Sequence, residues 1–312
     1  MKTEDVGTVS IIGAGLMGHG IGAVFARYGY SVTLMDVKQE FLLNARAQIE
    51  KEFNRCIKGG VMTQNQCDEA SRRIRTTVDV KEAAANADLV VEAVVEKLDA
   101  KREVFSDLDK FTPPNAILAS NTSGLPITQI ASFTKTPERV VGTHFWNPPL
   151  LMRAVEVIRG ERTSDQTVRA TKEILTKVGK RPVVVSKDVP GQVGIRILYT
   201  MLREAISLVE KGVASAQDVD TVIQEALGTR LPILGVLELA DLSGLDLALA
   251  VSSNLFKDLD ASKEPPALLK EKVARGETGA KSGRGFYDWS KRSLPEIISK
   301  RDEHLMKLMR EK

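Results

Sequence analysis

Two constellations of residues in this chain could do chemistry. The first is a histidine with a carboxylate within reach. His144 follows a β-prone run at 139–143, and Glu156 stands twelve residues later inside a second run at 154–158. Between them Phe145-Trp146-Asn147-Pro148-Pro149 imposes a rigid turn, so the second run can come back beside the first and bring Glu156 to the imidazole. A carboxylate there fixes the tautomer of a general base and stabilises the imidazolium once the proton is taken. The spacing alone fits a purely structural pair as well. The chain has three histidines. His19 falls beside a glycine-rich turn, as a cofactor neighbour or a bystander, and His304 reads as a solvated residue of the last helix.

The second constellation is Gly13-x-Gly15-x-x-Gly18, which directly follows the apolar run 8–12 and opens a helix at 14–28. In that setting Gly13 makes the tight turn, Gly15 lets the backbone approach a pyrophosphate, and Gly18 lets helix and strand pack closely. The N–H groups of the helix start, with Leu16 and Met17 among the first residues, bind phosphate. Asp36 ends a second strand, 31–36, eighteen residues past Gly18. A carboxylate there accepts from both ribose hydroxyls and repels a 2′-phosphate, which selects NAD over NADP. Asn121-Thr122-Ser123-Gly124 follows another apolar run. Polar residues in that position face the ligand crevice of an α/β sheet, and they also serve as helix caps. Hydride transfer to a nicotinamide needs a base for the alcohol proton, and a His–Glu pair supplies one.

The elements that must position these residues alternate. Strand runs at 75–78, 88–91, 116–120, 139–143, 154–158 and 182–186 are separated by helical runs, notably 98–109 and 165–178. The pattern predicts an α/β fold, a doubly wound and mostly parallel sheet, with a charged helical pair (39–59 and 63–74) inserted after the second strand. Strand signals stop near Lys187-Asp188. Beyond them Ile197, Met201, Ala205, Leu208 and Val209 form a helical stripe closed by Gly212, and Ser215 with Asp218 opens another helix. The division is therefore 1–188 for the cofactor domain and 189–312 for an all-α domain that serves substrate and dimer contacts. The last stretch, 293–312, spaces Leu294, Ile297, Ile298, Leu305 and Leu308 on one face, as an appended helix packed on the body or on a partner.

Composition narrows the function classes. The 312 residues carry 44 Lys+Arg and 41 Asp+Glu, for a net charge of +3, with 9 Phe, 4 Tyr and 2 Trp. That gives no basis for a nucleic-acid or membrane partner. Met1-Lys2-Thr3-Glu4-Asp5 has no apolar secretory core, and the apolar stretch 231–256 is broken by Glu238, Asp241 and Asp246. Cys56 and Cys67 read as reduced thiols of a cytoplasmic protein, and no metal-ligand spacing is present.

The residues quoted so far, taken with Val91-Glu92-Ala93-Val94-Val95-Glu96, Ala119-Ser120-Asn121-Thr122-Ser123, Val155-Glu156-Val157-Ile158 and Lys281-Ser282-Gly283-Arg284-Gly285-Phe286-Tyr287, resemble the 3-hydroxyacyl-CoA dehydrogenases over almost the full length. The resemblance implies a Rossmann domain, a helical dimerising domain and a cytosolic NAD-dependent enzyme that oxidises a (S)-3-hydroxyacyl-CoA. It implies His144 as general base, Glu156 as its orienting partner and Ser123 as a donor to the substrate oxygen. It places Asn147 in the catalytic neighbourhood, and Glu96, Lys101 and Asn121 near the cofactor.

The chain departs from the family pattern at Pro190-Gly191-Gln192-Val193-Gly194-Ile195-Arg196. Ile195 stands where the family usually has an asparagine that contacts substrate, and Gln192 where a phenylalanine is usual. In acyl-CoA members the helical pair helps hold coenzyme A; here it offers Lys51, Arg55 and Lys58. The Trp146-Asn147-Pro148-Pro149 form and the added last helix resemble relatives that act on free hydroxy acids or alcohols, such as carnitine, gulonate and pyridine-carboxylate dehydrogenases. A third reading is a weakly active NAD-binding protein with a structural or sensing role, kept open by Ile195. For the cofactor, Asp36→Ala is expected to weaken NAD relative to NADP in a binding titration. An unchanged ratio would place the ribose contact elsewhere.

Overall fold

A computed structural model describes residues 6–310; Met1–Asp5, the residues read above for a leader, and the last two residues lie outside it. Two compact units divide the chain, one of Met1–Ile195 with Ser299–Lys312 and one of Arg196–Ile298.

The first unit is built on eight strands: β1 (Thr8–Ile12), β2 (Ser31–Met35), β3 (Ile74–Thr77), β4 (Leu89–Glu92), β5 (Ile117–Ser120), β6 (Val140–Phe145), β7 (Ala154–Ile158) and β8 (Arg181–Val185). They lie in the order β3-β2-β1-β4-β5-β6-β7-β8, parallel except where β6 meets β7. The helices of this unit are α1 (Gly18–Arg27), α2 (Gln39–Lys58), α3 (Gln64–Arg72), α4 (Val80–Ala84), α5 (Leu98–Phe111), α6 (Ile127–Ala131) and α7 (Asp165–Lys177). Strand centres such as Val9–Ile12 and Leu89–Val91 are buried without alternation, and apolar but for Ser10, because both faces of the sheet are covered. Helix starts are set by side-chain caps: Thr63 with Gln66 for α3, Asp79 for α4 and Ser164 for α7. The chain order reverses between β1 and β4, and a ligand crevice opens outside the carboxyl ends of the strands at such a point.

The second unit is helical: the remainder of α8 (Gly194–Glu210), then α9 (Ala216–Val222), α10 (Val236–Ser243), α11 (Leu245–Leu255) and α12 (Ala267–Ala274). Tyr287 ties its late turn to α9 by donating to Asp220 Oδ2 at 2.5 Å, under the Arg292 guanidinium. Many of its aliphatic side chains are exposed in the single chain, including Ile233, Leu237 and Leu242.

The structure refines two sequence expectations. The compact units part at 195/196, a few residues past the 188/189 division read from the sequence, because residues 190–195 are held to the sheet unit. The closing helix α13 (Leu294–Arg310) packs on that unit from Ser299 on, which is the first of the two places the sequence left open for it, although the 189–312 division grouped it with the helical domain. Its packed face is Asp302, Leu305, Met306 and Met309, while Leu294 and Ile297 are exposed. Aliphatic spacing found only Leu305 of this face because methionines carry much of the packing. Met306 is buried against the end of α2, where its sulfur lies 2.2 Å from the point a Cβ on Gly59 would occupy, and Arg55 of α2 pairs with Asp302 at 3.3 Å. Met306→Ala is expected to cost about 2–3 kcal/mol in urea unfolding. A loss under ~0.5 kcal/mol would mean that α13 is not docked there.

Candidate active site

The glycine turn is shaped by close approach. Gly13 adopts φ 98°, and a Cβ on Gly18 would stand 1.8 Å from the Gly13 carbonyl oxygen, so helix and strand meet backbone to backbone. Gly15 is different: a Cβ there would meet nothing within 4 Å, and the neighbouring Leu16 is exposed, while Met17 is half-buried. No protein atom therefore demands a glycine at 15, whereas a pyrophosphate lying against the backbone would. Asp36 sits just past β2, half-buried. Its carboxylate accepts from the Ala14 N–H at 2.8 Å and the Val37 N–H at 2.7 Å, which joins the end of β2 to the glycine turn. These residues fit a dinucleotide.

His19 also braces this turn. Its Nδ1 lies 2.7 Å from the Gly15 carbonyl and its Nε2 3.2 Å from Glu52 of α2. Burial lowers its pKa, and the Glu52 hydrogen bond and charge outweigh that, so the net shift is upward. His19 is thus a support of the glycine turn.

At the end of β4 lies a carboxylate that sequence reasoning did not single out. Glu92 is fully buried and accepts from Lys101 Nζ at 2.7 and 2.9 Å, from Ser120 Oγ at 2.6 Å and from the Val94 N–H at 2.8 Å. Its signal in the sequence is an acid closing an apolar strand, nine residues before a lysine. Lys101 is equally buried and reaches Glu96 Oε2 at 3.2 Å. Its ammonium is held by the two carboxylates, so Lys101 bears on the crevice through Glu96. Glu96 in turn organises the turn after β5: Oε1 accepts from the Thr122 hydroxyl, the Ser123 N–H at 3.0 Å and the Gly124 N–H at 3.1 Å. Burial raises its pKa, but the Thr122 hydrogen bond and the Lys101 charge prevail and hold it below the ordinary value. Ser123 is left exposed, its hydroxyl without a partner among the described residues. Asn121 Oδ1 accepts from the Phe145 N–H at 2.8 Å and so locks the end of β5 to the end of β6.

His144 lies inside β6, not after it as the sequence suggested, and is the direct register partner of Glu156 across the antiparallel β6–β7 pair. Partners directly opposite project to the same face. His144 Nδ1 lies 2.8 Å from Glu156 Oε2, with both side chains buried. Glu156 Oε1 accepts from the N–H groups of Val193 and Gly194, each at 2.9 Å. Burial raises the Glu156 pKa; the bonds from His144, Gly194 and Val193 together overcome it and leave it below the usual carboxylate value. The Trp146 ring lies 5.0 Å from the imidazole and walls it, and Asn147 is exposed in the turn that follows. Ile195 is half-buried next to the loop that clamps Glu156. Cys56 and Cys67 are buried thiols. Among the described residues no group of three or more His, Cys, Asp or Glu is placed to hold a metal, and no helix is long and apolar enough to cross a membrane.

A strand order of this kind, a glycine turn at its first strand and a His–carboxylate pair at its sixth define a dinucleotide-dependent oxidoreductase. Comparison with known proteins gives the family. Residues 8–189 match the 3-hydroxyacyl-CoA dehydrogenase NAD-binding domain, and 191–289 match the C-terminal domain of the same family. A probable 3-hydroxybutyryl-CoA dehydrogenase of Bacillus subtilis is 41% identical over 93% of this chain and 99% of its own. The 5-formyl-3-hydroxy-2-methylpyridine 4-carboxylate 5-dehydrogenase of Mesorhizobium japonicum is 35% identical over 97% of each chain. A crystal structure of a dehydrogenase of that pyridine-carboxylate type, an NAD-dependent dismutase, superposes with a TM-score of 0.91 over 98% of both chains at 35% identity. The (S)-3-hydroxybutyryl-CoA dehydrogenase of Ralstonia eutropha superposes with a TM-score of 0.77 over 92% of this chain and 100% of its own, at 38% identity. The chain belongs to the 3-hydroxyacyl-CoA dehydrogenase family and is an NAD-dependent oxidoreductase.

Lys101→Met leaves the Glu92 carboxylate buried without its cation and is expected to cost about 3–5 kcal/mol in urea unfolding. Adding Glu92→Gln should recover part of that loss. Two independent, additive losses would contradict the coupling.

Proposed function

We propose that the protein oxidises a (S)-3-hydroxyacyl-CoA reversibly to the 3-oxoacyl-CoA, with His144 as general base. The observation that carries this reading is the 2.8 Å contact between His144 Nδ1 and Glu156. With Nδ1 engaged, Nε2 is the nitrogen left to take the proton of the substrate hydroxyl. NAD, when bound, supplies the acceptor for the hydride that leaves the carbinol carbon. Glu156 steadies the positive charge that forms on the imidazole and is itself held by the two loop N–H groups. Ser123 donates to the substrate oxygen from a turn that Glu96 keeps in shape. Asn147 adds a polar edge beside the base. Gly13, Gly15, Leu16, Met17 and Gly18 cradle the pyrophosphate and Asp36 takes the ribose hydroxyls. Glu96, Asn121 and, through Glu96, Lys101 border the nicotinamide half.

Acyl-CoA is favoured as substrate by relatives named as 3-hydroxybutyryl-CoA dehydrogenases at 41–43% identity. A second reading, the same chemistry on a small free hydroxy acid, is favoured by α13. That helix covers the end of α2 and engages Arg55, one of the cations available for coenzyme A, in the pair with Asp302. The fuller superposition on the pyridine-carboxylate enzyme supports it too. The exposed apolar side chains of α10 and α11 suit burial in a homodimer; sedimentation at the mass of one chain would contradict that.

His144→Ala is expected to lower turnover by about 10²–10⁴-fold while NAD affinity is kept. Near-wild-type turnover would refute the base. A substrate panel separates the two readings: acetoacetyl-CoA reduced with NADH supports the first, and turnover confined to free hydroxy acids supports the second.

A further inference from the structure

A cavity of about 280 Å³ opens away from the site residues named above, between the end of α1, the turn after α2, the 149–153 segment, the start of β8 and the end of α13. Arg27, Arg153, Lys180 and Arg310 line it together with Tyr28, and among the described residues no carboxylate does. Four cationic side chains from four separate segments thus converge where the described residues provide no counter-charge.

Their existing partners are neutral. Lys180 is buried and donates to the Pro149 and Met152 carbonyls, the latter at 2.8 Å. Arg27 donates to the Val61 carbonyl at 3.1 Å and lies over the Tyr28 ring. The guanidiniums of Arg153 and Arg310 form no hydrogen bond or ion pair among the described residues. Two acids on the neighbouring helices α13 and α2 are engaged elsewhere: Asp302 with Arg55 and Arg301, and Glu52 with His19. Holding Lys180 against the 149–152 carbonyls requires neither arginine, yet each adjacent cation makes a buried ammonium harder to keep charged. Burial first, then Arg27 and Arg153, bring Lys180 down to about 7. Forked guanidiniums beside an ammonium suit a tetrahedral oxyanion, which accepts several charge-assisted hydrogen bonds at once. The volume, on the order of nine waters, suits a phosphate group with part of its ester and not a whole dinucleotide.

We propose that this cavity is an oxyanion site for a phosphate group, free or carried on an ester, separate from the dinucleotide crevice. Inorganic phosphate titrated calorimetrically into the NAD-saturated protein at constant ionic strength should bind at one site. NAD keeps the pyrophosphate cradle filled, so that cradle cannot account for the signal. Arg153→Ala and Arg310→Ala should each weaken phosphate by about tenfold or more, and phosphate should raise the thermal midpoint of the wild type but not of Arg153→Ala. Arg310 is exposed at a helix end, so its variant reports on binding without threatening the fold. Absence of binding through the millimolar range, or equal affinity in wild type and both variants, would overturn the proposal. Repeating the titration with coenzyme A present distinguishes the sources: displacement assigns the site to an ester-borne phosphate, and no displacement assigns it to a free one.

Discussion

The carboxylate of Glu156 is the point through which the site is assembled. One oxygen meets His144 and the other receives two backbone N–H groups from the 190–194 loop. A buried carboxylate with three such bonds has its lone pairs directed and its charge compensated, so it does not turn. The imidazole is therefore fixed from behind. The same contact anchors the start of α8, where the chain leaves the sheet unit for the helical one. Antiparallel pairing of β6 with β7 makes this possible. A parallel neighbour would need a long crossover, whereas the proline turn returns the chain at once and sets His144 and Glu156 opposite one another.

A second carboxylate system does equivalent work at the reversal of strand order. Glu92 and Lys101 form a wholly buried ion pair, which is a poor way to gain stability but a strong way to specify one arrangement. Through Lys101 that order passes to Glu96, and through Glu96 to the turn bearing Ser123. The β4–β5 end of the crevice and the β6–β7 end are thus held by separate polar networks. Asn121, bonded to the Phe145 N–H, links the two.

Much of this was legible in the sequence because it is local. Apolar runs followed by glycine or by small polar residues mark strand ends, and a parallel sheet gathers its strand ends on one side. The His144–Glu156 pair was legible because only a short rigid turn separates two strands. The role of Glu92 was not, since its partner is a lysine on the following helix and nothing in the spacing says that the pair is buried. The family division at 189/191 agrees with the sequence boundary, whereas the compact units part seven residues later because the 190–194 loop belongs with Glu156, a relation that is visible only in three dimensions. An appended last helix was legible, but its packed face was only partly so: methionines and an arginine–aspartate pair carry the docking beside Leu305, not a clean aliphatic stripe.

The central claim is that Glu156 holds His144 as the Nδ1–H tautomer, leaving Nε2 free to act as base. Nitrogen-15 NMR of the NAD-saturated protein tests it directly, and with three histidines in the chain the imidazole signals are assignable by single substitutions. For the neutral His144 ring the expected result is a protonated Nδ1 carrying a downfield proton and a bare, pyridine-type Nε2, with that pattern lost in Glu156→Ala. A neutral His144 ring protonated on Nε2, or one indifferent to the loss of Glu156, would contradict it.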